Sequence, residues 1–320
     1  MSDELFEFKS MKVKRRPIDE RTRFLIPGKR FFILENEQVE EILYAIQRQQ
    51  EGEFWNILLV GEPGTGKSEL LCYLCAELNI PLVQIQGDGE QSVADLVGCT
   101  GFNEERGGTI WQDGKLPFAL RSRCSLLFDE INTILPDVLM KTHSMLDDRR
   151  TLDLKEHILE QEVDGKKIEI PESVSVPTET ICFATMNPHD SGRHVGTKPL
   201  SPALESRFNM RIVVDYLSAS NEIKMLIHET GATEDEAKKI VTVANESRKA
   251  FRNQEISIPI DHRMTKSWAR LAKRFGLVRA CKPTILNRLD ENDFDVLRGV
   301  LLSYGIEKPV GREEEKKGKR

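Results

Sequence analysis

The segment GEPGTGKS at 61–68 constrains this chain more than any other, because it can work at only one kind of place in a fold. Gly61, Gly66, Lys67 and Ser68 fill the pattern G-x-x-x-x-G-K-[ST]. Its glycines let main-chain N–H groups curl round an anion where a Cβ would clash. Such a loop needs a strand to deliver it and a helix to leave it, with the positive helix end facing the anion. Both are written beside it: NILLV (56–60) is a buried-strand run, and ELLCYLCAEL (69–78) is helical. Gly61, Glu62, Pro63, Gly64, Thr65, Gly66, Lys67, Ser68 and Glu69 are therefore the expected phosphate-binding residues. Lys67 is expected to neutralise β- and γ-oxygens, and Ser68 to offer its hydroxyl to Mg²⁺.

Four further strand patterns follow: PLVQIQ (81–86), SLLF (125–128), TICFAT (180–185) and MRIVVDY (210–216). Strands alternating with helices imply βαβ units and a mostly parallel sheet. In such sheets ligands bind at the carboxyl ends of strands. SLLFDE ends there in two acids, with Asp129 expected in the Mg²⁺ shell and Glu130 as the general base that polarises water.

Upstream, Val39, Ile42, Leu43 and Ile46 recur at helical spacing within 37–50. Residues 1–30 read as an irregular arm, whose basic cluster Lys12, Lys14, Arg15 and Arg16 is a solvated face or a partner contact. From about 218 four helical stretches follow one another, each preceded by Ser, Thr or Asn. The expected division is an arm and lead-in helix at 1–52, an α/β core at 53–217, a helical lid at 218–308 and a charged tail at 309–320.

Composition removes several classes. The net charge of −6 gives no global basic field for nucleic acid or membrane. No long apolar run predicts a membrane span, and the charged N-terminus MSDELFEFKSMKVKRRP does not read as a secretory signal, so a cytoplasmic protein is expected. Cys72 and Cys75 form a CxxC on the helix after the phosphate loop, read as two small core residues rather than a redox or zinc pair. The six histidines form no metal-hydrolase pattern.

Taken together, GEPGTGKS and LLFDEIN resemble the AAA+ ATPases, with a P-loop NTPase core of parallel sheet flanked by helices and a smaller C-terminal helical lid. ICFATMNP (181–188) is similar to their sensor-1 strand, which implies that Asn187 contacts the γ-phosphate and positions water. SPALESRF (201–208) resembles the arginine-finger segment, implying that Arg207 reaches a neighbouring subunit's nucleotide. ISIPIDHRMTKSWARLA (256–272) looks like the start of the sensor-2 helix, making Arg263 the sensor-2 arginine, although Asp261-His262 before it departs from the pattern. GGTIWQDGKLPFALRSRCSLLFDEIN (107–132) and HSMLDDRRTLDL (143–154) are similar to the MoxR and CbbQ/NorQ group, within the dynein-related branch. DLVG (95–98) and GFNEERGG (101–108) resemble that group's insert, which faces a pore or a partner, or else form a plain surface hairpin.

The resemblance implies ATP with Mg²⁺, a homo-oligomeric ring, commonly a hexamer, and a chaperone-like motor. It also implies a von Willebrand A-domain partner and a target enzyme. Two other readings stand beside it. One is a nucleic-acid motor, helicase-like or of the GTP-using McrB type, with Arg106, Lys115, Arg121 and Arg123 lining a pore. The other is a non-hydrolysing scaffold, against which Glu130 and Asn187 speak.

Overall fold

Strands buried on both faces read as continuous apolar runs, and those at a sheet edge alternate. The computed structural model, which describes residues 5–35, 37–103, 107–163, 166–188 and 199–306, follows this rule. Chain order begins with β1 (Leu5–Phe8), β2 (Met11–Lys14), α1 (Glu37–Gln50), β3 (Asn56–Val60), α2 (Lys67–Glu77) and β4 (Leu82–Gln86). It continues through α3 (Val93–Leu96), β5 (Gly98–Asn103), β6 (Gly108–Asp113), α4 (Lys115–Arg121) and β7 (Ser125–Asp129). Next come α5 (Pro136–Leu139), α6 (His143–Leu146), β8 (Thr151–Val163), β9 (Lys166–Ser175), β10 (Cys182–Met186), α7 (Pro202–Glu205) and β11 (Met210–Val213). Last are α8 (Ala219–Thr230), α9 (Glu234–Arg252), α10 (His262–Phe275), α11 (Leu277–Thr284) and α12 (Glu291–Ser303).

The central sheet has the order β11-β3-β10-β7-β4, all parallel. Every residue of β3 and β10 is buried, whereas β4 and β11 at the edges alternate. Fully buried Leu58, Leu59, Leu126 and Leu127 each contribute about 1.5–3 kcal/mol by leaving water.

The described residues fall into two compact units. The first takes those within 1–30, 34–62 and 67–214, and holds the sheet. The second takes those within 31–33, 63–66 and 215–320, and is helical. The charged tail expected at 309–320 and Arg106 of the insert lie outside the described residues.

Several expectations change. The arm is irregular only in part: β1 and β2 form an antiparallel hairpin with Val13 fully buried, while 15–30 holds no strand and a single 3-10 turn at Arg23–Leu25. The Arg16 N–H donates to the Leu78 carbonyl at 2.9 Å, and Lys12 and Arg15 pair with Glu7 and Glu77. β10 begins at Cys182, because the Thr180 carbonyl is taken by the Gln49 side chain at 3.1 Å and the Ile181 N–H by the Ser125 hydroxyl. β11 stops at Val213, level with its register partner Val60, the last residue of β3. The insert is a hairpin, β5–β6, and a longer hairpin not read from the sequence, β8–β9, follows α6. Trp111 of β6 stacks on His157 of β8 at 4.9 Å.

In the second unit α10 begins at His262 because Asp261 caps it, its carboxylate accepting the Met264 N–H at 2.8 Å. Glu222 and Arg248 form a buried ion pair, with Nη1–Oε2 at 2.6 Å and Nη2–Oε1 at 3.0 Å. The Arg248 Nε–H donates to the Ile260 carbonyl at 2.9 Å, and its guanidinium lies 4.0 Å from the Tyr216 ring centre. Leu277–Thr284, unmarked in the sequence, is helical despite Pro283 near its end.

Candidate active site

The end of β3 delivers the chain to Gly61, whose N–H donates to the Met186 carbonyl at the end of β10, 3.2 Å away. Gly64 and Gly66 take φ of +73° and +90°, a region that other residues adopt at a cost. α2 then starts at Lys67. The Lys67 side chain is 7% exposed, and its Nζ donates to the Gly61 carbonyl at 2.7 Å, the Glu62 carbonyl at 3.0 Å and Asn187 Oδ1 at 3.1 Å.

Across the sheet, β7 ends in Asp129. Its Oδ1 accepts the Ser68 hydroxyl and, at 2.6 Å, the Thr185 hydroxyl. Ser68 and Asp129 thus present two hard oxygen donors at one point, the donor type that Mg²⁺ selects. Glu130 follows in the left-handed region, φ 55° and ψ 47°. This non-glycine strain is held from both sides. The Glu130 N–H donates to Thr185 Oγ1 at 3.0 Å, and its carbonyl accepts the Thr133 N–H and hydroxyl at 2.9 and 2.8 Å. Asn132 donates to the Asn187 carbonyl at 3.4 Å.

Gly61, Glu62, Lys67, Ser68, Asp129, Glu130 and Asn187 therefore meet at the carboxyl edge of the sheet, with Glu69 exposed on the first turn of α2. Pro63, Gly64, Thr65 and Gly66 belong to the helical unit, where the Tyr216 hydroxyl donates to the Pro63 carbonyl at 3.0 Å. A Cβ added at Gly64 would collide with the Asp261 side chain. Arg263 is exposed on the first turn of α10.

Arg207 lies at the other edge of the same sheet. Its carbonyl accepts Asn56 Nδ2 at 2.8 Å, and Asn56 opens β3. Five strand residues separate that point from the phosphate loop, roughly 16 Å at ~3.3 Å each. The guanidinium contacts the His143 and Ala203 carbonyls and the Asp147 carboxylate, with the side chain 23% exposed. Of the cations proposed for a pore, Arg121 pairs with Asp113 and Glu172, and Arg123 with Glu179. Cys75 is fully buried, which pushes its thiol up, and Cys72 accepts from Gln84.

Sequence reading missed Thr185 and Asn56. ATMNP marks the strand end but not which hydroxyl braces the acids, and Asn56 looks like an ordinary first strand residue.

Comparison with known proteins points to one family. The family model of the AAA domain, dynein-related subfamily, matches residues 56–208, and that of the CbbQ/NirQ/NorQ C-terminal region matches 222–301. The aerobic cobaltochelatase subunit CobS of a Sinorhizobium species is 30% identical over 247 residues, covering 73% of this chain and 70% of CobS. Protein NorQ of Paracoccus denitrificans is 27% identical over 245 residues, 76% of this chain and 83% of NorQ. Protein CbbQ of Hydrogenophilus thermoluteolus is 27% identical over 231 residues, 72% of this chain and 78% of CbbQ.

Proposed function

The chain belongs to the dynein-related AAA family, in its CbbQ/NirQ/NorQ group, and is an ATPase; from that premise we propose that it hydrolyses ATP with Mg²⁺ as one subunit of a ring, a hexamer, that remodels or activates a protein partner in the cytoplasm. The observation that carries the reading is the separation of Arg207 from Lys67 across the length of β3. One chain then contributes half of two different sites, which only a closed ring uses throughout.

In this reading the 61–69 loop binds the triphosphate, and Lys67 exchanges its carbonyl partners for β- and γ-oxygens. Ser68 and Asp129 would hold Mg²⁺, which neutralises developing charge on the phosphates. Glu130, braced by Thr185 and Thr133, takes a proton from the attacking water. Asn187 places that water, Arg263 senses the γ-phosphate, and a neighbour's Arg207 stabilises the transition state. A protein partner is supported by CobS, which is named as one subunit of a larger enzyme. A von Willebrand A-domain protein is the partner class we propose. Nucleic acid is disfavoured by the −6 charge and by the carboxylates that neutralise Arg121 and Arg123.

The test is a pair of variants. Glu130→Gln should bind ATP and lose turnover, while Lys67→Ala should lose binding. Arg207→Ala should bind ATP and hydrolyse it poorly, and should regain activity in rings mixed with Lys67→Ala subunits once subunit exchange is demonstrated. Wild-type turnover by Glu130→Gln would remove it as the base. Absence of recovery in exchanging rings, with lost ATP affinity in Arg207→Ala alone, would place Arg207 in its own subunit's site.

A further inference from the structure

The turn after α6 carries Asp147, Asp148, Arg149 and Arg150, a run that the roles above leave unused. It sits beside Arg207 by construction. The Asn56 side-chain amide donates to the Leu146 carbonyl and to the Arg207 carbonyl, each at 2.8 Å, so one buried side chain ties both segments to the start of β3.

Within this cluster the acceptors around Arg207 are of two kinds. The His143 carbonyl, 3.2 Å from Nε, and the Ala203 carbonyl, bonded to Nη1, direct the guanidinium without cancelling its charge. The third is the Asp147 carboxylate, and Arg207 Nη2 reaches its Oδ2 only at 3.5 Å. Arg149 grips the same carboxylate far more closely. Its Nη2 donates to Oδ2 at 2.8 Å, and its Nε and backbone N–H both donate to Oδ1 at 3.1 Å. Bidentate charge-assisted bonds are the strong kind. The negative charge of Asp147 is thus engaged mainly by Arg149.

We propose that Arg149 is a positioning residue for Arg207: by occupying Asp147 it keeps that carboxylate as a guide for the Arg207 guanidinium without letting it become a full counter-ion, so that Arg207 retains its charge for a neighbour's phosphate. The inference rests on the reading of Arg207 as acting on an adjacent subunit. The Asp147 carboxyl is held down to about 2, first by its bond from Arg149, which keeps it anionic across the working pH range. Arg149 is 64% exposed, and exposed ion pairs add little to stability, so its effect belongs in turnover and not in folding. Without Arg149 the carboxylate is released to pair with Arg207, and a phosphate must compete for the guanidinium.

The experiment compares wild type, Arg149→Ala, Arg149→Lys and the double variant Arg149→Ala/Asp147→Asn. For each, kcat for ATP, nucleotide Kd and thermal midpoint are measured. Arg149→Ala should lower kcat about tenfold with Kd within about twofold, as expected when charge is withdrawn from an arginine finger. Arg149→Lys should lie between it and wild type. The double variant should recover most of the lost kcat, because the competing carboxylate is gone. Thermal midpoints should agree among all four. Wild-type kcat in Arg149→Ala overturns the proposal, as does a double variant no faster than Arg149→Ala, or turnover that merely tracks a falling midpoint. The underlying reading is judged separately: Arg207→Ala rings that exchange with Lys67→Ala subunits and stay inactive remove the action on a neighbour, whatever Asp147→Asn restores.

Discussion

Thr185→Val isolates the brace behind Glu130. Thr185 is fully buried, and valine matches its shape, so the change removes a hydroxyl and opens no cavity of consequence. Two bonds go with it: the donation to Asp129 Oδ1 at 2.6 Å and the acceptance from the Glu130 N–H at 3.0 Å. A bond to a charged group contributes about 1.5–3 kcal/mol, and leaving a buried N–H without its acceptor costs about 1–3 kcal/mol. Burial of a methyl in place of the hydroxyl offsets part of this, so the expected net loss is about 2–3 kcal/mol. Glu130 then keeps its left-handed conformation only through Thr133 on its carbonyl side. Since that conformation costs on the order of 1–2 kcal/mol, the carboxylate should lose its fixed position. Turnover should fall about 10–100-fold, while nucleotide affinity stays within about threefold because the Lys67 contacts are untouched. Urea unfolding gives the first quantity, phosphate release the second and titration with a fluorescent nucleotide the third. Thr185→Ser, which keeps the hydroxyl, should restore most of the turnover. Wild-type turnover by Thr185→Val would refute the brace, and a collapse of nucleotide affinity would mean that the hydroxyl serves the phosphate loop instead.

Other expectations concern the helical unit. Arg248→Met leaves Glu222 buried without its bidentate partner and should cost about 3–5 kcal/mol in urea unfolding, with Glu222→Leu added on top recovering much of the loss. His262 is buried among Glu222, Arg248, Lys266 and Asp261, and burial lowers its imidazole from 6.5 to about 4. A histidine depressed in the folded state contributes its stability above pH 6.5 and loses it as pH falls from there toward 4. The helical unit should therefore lose about 2 kcal/mol between pH 7 and pH 5, and His262→Phe should flatten that slope in urea midpoints taken across the range.

Much of the site could be read before any folding was known. The phosphate loop is local: its glycines, the apolar run before it and the helix after it lie within 56–78. The acids at the end of β7 were legible for a similar reason, since an apolar strand ending in Asp-Glu carries its own direction. The hairpins β1–β2 and β8–β9 were not, because β1 and β2 are only four residues long and β9 is largely exposed and charged, so few buried apolar positions mark them. α10 begins earlier than its apolar pattern suggests because Asp261, read as a departure from the sensor-2 pattern, is its cap.

What the sequence alone determined is the chemistry on offer: a cation, a hydroxyl and two carboxylates at strand and helix ends, where backbone conformation and burial are dictated by near neighbours. Tertiary structure decided which of them meet. Ser68 reaches Asp129, Lys67 reaches Asn187 and Thr185 reaches both acids only because β3, β10 and β7 lie side by side in an order different from their order in the chain. By the same register Arg207 falls at the far end of β3, in the company of Asp147 and Arg149. Hydrogen bonds reach only about 3 Å, so partners 56 to 120 residues apart in the chain are chosen by strand order and register, which no local pattern encodes.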